Sequence, residues 1–289
     1  MIPPAFEYLR PKTIPEAIGF LQQHGEDAKI LSGGQSLIPM MKFRLARPGY
    51  LIDINRISGL SYIKEEGGYL KIGGLTREAD VESSPLIRSK YPILFDTTRV
   101  IADPQIRNMA TLAGNLAHGD PANDHPATMM ALGAQVVATG SKGERIIPIE
   151  RFFVTVFTTD LQHDEIVTEI RIPTPPARSG GAYFKLERKV GDFATAAVAA
   201  QLTLDADGTC KKVGIALTNV GATPIKAAKA ENFLTEKKME ESNIAQAAQL
   251  AAEEAQPSSD LRGPEEYKRG LVKELTRRAL RRAHERAGK

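Results

Sequence analysis

The chain contains 289 residues, of which 42% are hydrophobic and 25% charged, and its formal net charge is +3. This length permits a substantial core and predicts two domains, whereas so small a net charge gives no reason to expect nucleic-acid or membrane binding. No apolar run reaches the roughly 18 residues of a transmembrane helix, and the N-terminal residues lack the basic and apolar regions of a secretory signal. We therefore expect a cytoplasmic protein without a transmembrane segment.

The first part of the chain alternates short strands and helices. Apolar runs predict strands at residues 6–9, 28–31 and 50–54. A helix is expected after Thr13, which is a typical N-cap with Glu16 at the capping-box position, and a second helix at residues 37–45. These elements predict a first subdomain of about residues 1–56.

A second subdomain of about residues 57–177 contains more strands. Strands are predicted at residues 60–65, 69–72, 134–139, 145–148 and 165–172. Helices are predicted from a Thr76 cap through Val81 and at residues 92–100 and 125–132. The prolines at 173–176, followed by Ser179-Gly180-Gly181, predict a domain boundary at residue 177.

The remaining residues, 178–289, are expected to form a C-terminal domain. Strands predicted at residues 183–189, 196–204 and 211–217 indicate a small antiparallel sheet. Helices predicted at residues 224–234, 239–254 and 264–287 follow it.

Cysteine usage restricts the redox chemistry that this chain can perform alone. Cys210 is the only cysteine, so the chain forms neither an internal disulfide nor a cysteine-ligated iron–sulfur cluster. Any redox role therefore needs an organic cofactor, and further metal centres would belong to partner chains.

Two glycine-containing segments, both expected to be loops, carry most of the functional information. The first is Leu31-Ser32-Gly33-Gly34-Gln35-Ser36-Leu37, and the second is Thr111-Leu112-Ala113-Gly114-Asn115-Leu116. Small residues let backbone N–H groups approach an anion, while hydroxyl and amide side chains add hydrogen bonds. Two such segments in one chain predict a bound dinucleotide whose diphosphate is held from both sides.

Other interpretations of these motifs stay open or are disfavoured. Taken alone, the first segment is as consistent with a plain tight turn as with a ligand-binding segment. It matches neither the Rossmann fingerprint nor a Walker A loop. His118, Asp120, Asp124 and His125 lack the helical spacing of a ligand pair, so no metal site is expected. Asp124 is better suited to accept a hydrogen bond from a sugar hydroxyl. The basic residues of 267–286 are typical of a solvated helix face more than of a nucleic-acid site.

The paired segments resemble the two FAD-binding segments of the molybdenum hydroxylase flavoproteins (the xanthine dehydrogenase-like family), most closely the medium subunits of the aerobic carbon monoxide dehydrogenase type. Ile101-Ala102-Asp103-Pro104-Gln105-Ile106-Arg107, His118-Gly119-Asp120-Pro121, Lys189-Val190-Gly191-Asp192 and Leu217-Thr218-Asn219-Val220 add to this similarity, which runs over the whole chain. The resemblance implies an α+β fold. Residues 1–177 would form a vanillyl-alcohol-oxidase (PCMH-type) FAD-binding domain of two subdomains, and the rest a small antiparallel sheet with a helical bundle.

The same resemblance implies a set of residues for non-covalent FAD binding, with no catalytic residue and no metal ligand in this chain. Residues 32–36 and 111–115 would bind the diphosphate, Ile101 and Ala102 would line the flavin, and Asp124 would bind a ribose or ribityl hydroxyl. Ile166 and Val167 would pack on the adenine side, Lys185 would reach the isoalloxazine edge, and Phe193 would lie near the ring. The full set is Leu31, Ser32, Gly33, Gly34, Gln35, Ser36, Leu37, Ile101, Ala102, Thr111, Ala113, Gly114, Asn115, Asp124, Ile166, Val167, Lys185 and Phe193.

Three positions depart from the family pattern. Ala113 stands where relatives usually have glycine, which is tolerable only if this residue does not need a positive φ. Gln35 replaces a frequent histidine, and Phe193 lacks a hydroxyl. These departures leave the expected FAD binding intact but give no safe assignment of carbon monoxide as substrate.

The resemblance implies an electron-transfer subunit of a larger complex. Substrate would be oxidised at a molybdenum cofactor on a large partner chain. Electrons would pass through [2Fe–2S] clusters on a small partner to FAD on this chain, and then to an external acceptor such as a quinone. The family suggests a dimer of heterotrimers in the cytoplasm, with association to the inner face of the membrane through the complex as a further option. The alternatives are a self-contained FAD-dependent oxidase and a non-catalytic nucleotide- or nucleic-acid-binding module.

Overall fold

The computed structural model describes residues 1–288 and begins with a parallel three-stranded sheet. Its strands, in the spatial order β1-β3-β2, are β1 (Glu7–Leu9), β2 (Ala28–Leu31) and β3 (Tyr50–Asp53). The associated helices are α1 (Ile14–His24) and α2 (Leu37–Lys42), with a 3₁₀ turn at Gly25–Asp27. Because β2 and β3 are parallel, their carboxyl ends lie at the same edge of the sheet, and the first glycine segment begins there.

The second part is built on a five-stranded antiparallel sheet with the order β4-β5-β10-β6-β7. Its strands are β4 (Ile63–Glu66), β5 (Tyr69–Gly73), β6 (Gln135–Gly140), β7 (Gly143–Pro148) and β10 (Ile166–Pro173). A separate hairpin pairs β8 (Phe153–Thr155) with β9 (Thr158–Thr159). The helices of this part are α3 (Glu78–Ser83), α4 (Pro85–Lys90), α5 (Pro92–Arg99), α6 (Pro104–Arg107), α7 (Leu112–His118), α8 (His125–Leu132) and α9 (Ile149–Phe152).

The C-terminal part contains a four-stranded antiparallel sheet in sequence order. Its strands are β11 (Ser179–Leu186), β12 (Ala196–Leu204), β13 (Cys210–Thr218) and β14 (Ile225–Lys226). The helices are α10 (Ala228–Leu234), α11 (Glu241–Glu254) and α12 (Glu265–Ala287).

The C-terminal sheet is covered on both faces. In β12, Ala197 and Ala199 belong to the core that includes α5 and α8, whereas Val198 and Leu202 belong to the core formed with α10, α11 and α12. Successive side chains of a strand point to opposite faces, so burial of both sets explains why this strand is apolar without alternation. Small alanines let the helices on each side approach the sheet closely.

The mixed helix-and-sheet content agrees with the sequence-based prediction, and most elements start within a few residues of their expected positions. Thr13 caps α1, since its hydroxyl accepts from the Glu16 N–H at 3.3 Å. The Glu16 carboxylate accepts from the Lys12 N–H at 2.7 Å, one residue before the cap. Thr76 was expected to cap the next helix, and this was wrong. Its hydroxyl bonds to the backbone of Tyr62, and Arg77 is the N-cap of α3.

Ser179-Gly180-Gly181, which together with the preceding prolines was expected to mark a domain boundary, lies in strand β11. A Cβ on Gly180 would approach the Ala283 carbonyl oxygen of α12 to 2.2 Å. This glycine therefore permits close packing of helix against strand, which is a common reason for glycine inside a strand.

Candidate functional site

A cavity of about 740 Å³ lies beside the edge where β2 and β3 end. It is lined by the end of β2, the first glycine segment, α7, the β8–β9 hairpin and the start of β10. Its volume is in the range of cofactor sites, and its position follows the general rule that ligands bind at the carboxyl ends of parallel strands.

The two glycine segments meet at this cavity. The Ser32 and Thr111 hydroxyl oxygens lie 2.8 Å apart. A Cβ added to Gly33 would lie 2.4 Å from the Met109 carbonyl oxygen, so only glycine permits this contact. Segments far apart in the sequence therefore form one continuous surface.

The second segment is the beginning of helix α7, and the expectation of a loop across residues 111–115 was wrong. Thr111 is the N-cap, and its hydroxyl accepts from the Gly114 N–H at 3.1 Å. Ala113 lies inside this helix and has no positive φ. Its methyl group is therefore compatible with the backbone, which answers the question raised by this departure from the family pattern.

Several polar groups at the cavity have no partner within residues 1–288. The backbone N–H groups of Gly33, Gly34, Gln35 and Ser36 donate to no acceptor there. The buried Asn115 Oδ1 also has no hydrogen-bond partner. A buried polar atom such as Asn115 Oδ1 normally has a partner, and the four residues with unpartnered N–H groups line the cavity. A ligand with several acceptor oxygens and with hydroxyl donors therefore fits this set. The diphosphate and sugar groups of FAD meet both requirements.

Thirteen of the eighteen residues expected to bind the cofactor line this cavity. They are Leu31, Ser32, Gly33, Gly34, Gln35, Ser36, Leu37, Thr111, Ala113, Gly114, Asn115, Ile166 and Val167. Gln35, which replaces the frequent histidine, donates from Nε2 to the Gly33 carbonyl at 3.3 Å. Its side chain thus supports the first segment from within.

The other five residues do not line the cavity; they are Ile101, Ala102, Asp124, Lys185 and Phe193. Contacts still connect Asp124 with Lys185, and Lys185 with the backbone beside Ile101. Lys185 Nζ donates to the Val100 carbonyl at 3.0 Å, and Gly191 sits against Ala102 so closely that a Cβ would lie 2.4 Å from its carbonyl oxygen. Phe193 is 49% exposed. Their roles toward a flavin remain predictions.

Asp124 is buried in a polar cluster. Its carboxylate accepts from Tyr183 Oη at 2.6 Å and from Lys185 Nζ at 2.9 Å, and the Lys185 side chain is only 2% exposed. Burial raises the pKa of Asp124, and the charge of Lys185 opposes that shift. Burial also raises the pKa of Tyr183. Both carboxylate oxygens have donors within the protein, so the sugar contact expected for Asp124 remains a prediction.

Sequence reasoning missed Asn55 and Arg77, which contact the glycine segments from outside the cavity, and Tyr183. Asn55 Nδ2 donates to the Ser32 carbonyl at 2.8 Å, and Arg77 donates to the Met109 carbonyl. One signal pointed to Asn55: it follows β3 as Ser32 follows β2, and these parallel strands end at the same edge. No comparable local signal pointed to Arg77 or Tyr183.

Other candidate sites carry little chemistry. No cluster of metal-ligating side chains is found within residues 1–288, and His125 Nε2 instead bonds to Glu78 Oε2 at 2.8 Å in the core. Burial raises the pKa of Cys210 to about 11, which is unsuitable for a nucleophile. Within residues 1–288, none of the helices combines the length and the hydrophobicity that a membrane-spanning segment requires.

The basic C-terminal helix α12 has most of its cations in ion pairs. Its arginines pair with acidic residues of α12 itself, α11 and α5; the pairs are Arg269–Glu265, Arg277–Glu274, Arg278–Glu274, Arg281–Glu241, Arg282–Glu285 and Arg286–Asp96. Paired arginines offer little net attraction to a phosphate backbone. Helix α12 is therefore a surface helix held by ion pairs, and its composition does not favour a nucleic-acid site.

Comparison with known proteins places these features in a family. Residues 4–175 match the family described as the FAD binding domain in molybdopterin dehydrogenase, and residues 181–283 match the CO dehydrogenase flavoprotein C-terminal domain. The chain is 44% identical to the carbon monoxide dehydrogenase medium chain of Afipia carboxidovorans, covering 99% of both chains. It is 36% identical to the glyceraldehyde dehydrogenase medium chain of Sulfolobus acidocaldarius, covering 97% of this chain and 99% of that one.

A solved structure agrees with these sequence matches. The chain superposes with a TM-score of 0.95 and 45% identity, covering 98% of both chains, on a chain of carbon monoxide dehydrogenase from Hydrogenophaga pseudoflava that lacks the Mo-pyranopterin moiety of its molybdenum cofactor. The two glycine segments, the cavity between them and the match over both domains lead to one conclusion. The chain belongs to the FAD-binding flavoprotein subunits of the molybdenum hydroxylases and is an oxidoreductase subunit of the carbon monoxide dehydrogenase type.

Proposed function

We propose that this chain binds FAD in the cavity between its two glycine segments and passes electrons within a molybdenum hydroxylase complex. The observation that carries the proposal is the row of unpartnered N–H groups at Gly33–Ser36, directly beside the start of α7. These groups would hold the diphosphate without any side-chain cation, and Asn115 Oδ1 would accept from a sugar hydroxyl. Ile166 and Val167 offer an apolar wall for the adenine.

The second group of residues would complete the site at the flavin. We place Ile101, Ala102, Lys185 and Phe193 around the isoalloxazine, with Asp124 fixing Lys185 through the 2.9 Å contact. When bound, FAD supplies a redox centre able to accept and release electrons. The chain's own residues then orient that centre and hold fixed charges near it, and none of them needs to act as an acid or base on the organic substrate.

The partners follow from the family and from the composition of this chain. We propose a small subunit with [2Fe–2S] clusters and a large subunit with a molybdenum cofactor, assembled as a dimer of heterotrimers in the cytoplasm, with a quinone as a candidate acceptor. The single cysteine of this chain, Cys210, supports the placement of the [2Fe–2S] clusters on a partner subunit, because four cysteines are needed for such a cluster. The relatives named above act on different compounds, so the substrate is a property of the large partner. We also propose that residues 1–177 have the vanillyl-alcohol-oxidase (PCMH-type) topology.

A visible absorption spectrum of the purified full-length chain, recorded after FAD is added and excess removed, tests cofactor binding. We expect a retained flavin spectrum that is lost when Gly33 and Gly114 are both changed to valine. If the isolated chain retains none, the same measurement on the complex with its partner subunits decides. Absence of flavin in both preparations would refute the proposal.

A further inference from the structure

Asn55 and Arg77 form a hydrogen-bonded link between the two glycine segments, although neither residue lines the cavity. Asn55 Nδ2 donates to the Ser32 carbonyl at 2.8 Å, and Asn55 Oδ1 accepts from Arg77 at 2.6 Å. Arg77 also donates to the carbonyl of Met109, just before the second segment. One amide and one guanidinium thus connect the end of β2 with the start of α7.

The link is itself fixed in place by further contacts. Asp53 Oδ1 accepts from the backbone N–H of Asn55 at 2.9 Å and from its side-chain nitrogen at 2.6 Å, while Tyr8 donates to the other carboxylate oxygen. The backbone around Arg77 pairs with that around Thr111, and the Glu78 N–H donates to the Ala110 carbonyl at 2.9 Å. Both ends of the Asn55 amide are engaged, so its orientation is determined.

The orientation of one peptide group depends on this link. In a planar trans peptide the C=O and the following N–H point in opposite directions. Because Asn55 holds the Ser32 carbonyl, the Gly33 N–H points away from Asn55. Gly33 lines the cavity and its N–H has no acceptor within residues 1–288, so the link directs this donor toward the ligand space.

We propose that Asn55 and Arg77 are positioning residues for the cofactor diphosphate: together they set the direction of the Gly33 N–H and the separation of the two segments. This inference rests on the proposed FAD site. The planar guanidinium matters beyond its charge, since it binds two acceptors at once, which the single ammonium group of lysine does not reproduce in the same geometry.

Titration of the full-length apo-protein with FAD, and separately with ADP, tests this role. We expect Asn55→Ala and Arg77→Ala each to weaken FAD binding about tenfold, the size typical of one well-placed hydrogen bond. The double variant should lose little more than either single variant, because both changes break the same link. ADP carries the diphosphate without the flavin, so its affinity should fall by the same factor, and the visible spectrum of bound flavin should be unchanged.

Two further variants separate positioning from charge and from general damage. Arg77→Lys should weaken FAD and ADP binding almost as much as Arg77→Ala does. Wild-type affinity in Arg77→Lys would overturn the proposal in favour of a charge effect. Arg88→Ala removes an exposed arginine of α4 that donates to the Glu82 carbonyl of α3, and it should leave both affinities unchanged. If Arg77→Ala does not fold, the exposed Asn55→Ala variant carries the test.

The outcomes also separate this inference from the function on which it rests. Failure of the wild-type chain and of its complex to bind FAD would reject the site itself. If the wild-type protein binds FAD, two results would reject only the link. One is an unchanged affinity in Asn55→Ala and Arg77→Ala, and the other is a loss of affinity in the double variant that equals the product of the two single losses.

Discussion

Gly33→Ala is the sharpest test of the contact between the two glycine segments. Gly33 has no positive φ, so the substitution introduces no backbone strain of its own. The new Cβ would instead lie 2.4 Å from the Met109 carbonyl oxygen and 2.7 Å from Ala110 Cα, both of which are backbone atoms that cannot rotate away. The two segments must therefore move apart.

The size of that movement follows from the contact distances. An ordinary Cβ contact begins near 3.4 Å, so the segments must separate by about 1 Å. The 2.8 Å contact between the Ser32 and Thr111 hydroxyl groups would then exceed the range of a hydrogen bond. Loss of that bond costs about 1 kcal/mol, and the forced repacking about 1–3 kcal/mol. Misdirecting one or two N–H donors to a charged ligand should weaken FAD binding about 10- to 100-fold.

Flavin binding is measured by titrating the apo-protein, and stability by chemical denaturation. Gly19→Ala is the matched control, because Gly19 lies within helix α1 and a Cβ there meets nothing within 4 Å. We expect the control to bind FAD normally and to gain about 0.5–1 kcal/mol of stability from the better helix former. If Gly33→Ala bound FAD with wild-type affinity, the reasoning from this contact would be wrong.

Three other substitutions or conditions test separate features. Lys185→Met should lower the free energy of unfolding by about 3–5 kcal/mol, because it leaves the buried Asp124 carboxylate without its cation; adding Asp124→Asn should recover much of this loss in denaturant unfolding. Gly191→Ala should displace its loop, since Gly191 has φ +81° and its Cβ would lie 2.4 Å from a facing carbonyl oxygen; faster proteolysis of residues 187–193 would report this, and an unchanged cleavage rate would contradict it. Burial raises the pKa of Glu165, but hydrogen bonds led by that from Arg145 outweigh this effect and leave it below its ordinary value of 4.5. A carboxyl group whose pKa is lower in the folded state stabilises the protein above pH 4.5, and this stabilisation is lost as the pH falls below 4.5. Arg145→Gln should therefore flatten the pH dependence of the unfolding midpoint below pH 4.5.

Local chemistry explains which parts of the fold could be predicted from the sequence. Thr13 and Glu16 define the start of α1 through contacts within four residues, and the isoleucines, valine and threonine of 165–172 specify β10 nearly to its ends. The meeting of the two glycine segments could also be anticipated, because each has the same unusual composition. These features depend on neighbours in sequence or on residue type alone.

Features that depend on tertiary contacts could not be predicted in this way. Gly180 and Gly181 follow the prolines that mark the domain boundary, yet they lie in β11, where the missing side chain of Gly180 admits α12 against the strand. Thr76 is a good cap by type, but its hydroxyl bonds to the distant backbone of Tyr62. Asp124 has the chemistry to bind a sugar, whereas its partners Tyr183 and Lys185 lie about sixty positions away in the chain. No pattern within a short window reports such pairings.

The sheet β11–β14 has consequences for evolution and for engineering of this chain. Its strand β12 contributes alternate residues to two cores, one shared with α5 and α8 and the other with α12. A fragment cut near residue 177 would leave the α5 and α8 faces uncovered, and we expect such a fragment to aggregate instead of folding. Exchange of C-terminal modules between relatives should succeed only when α5 and α8 are transferred with them. We therefore expect the two regions recognised by family comparison to unfold as one cooperative unit.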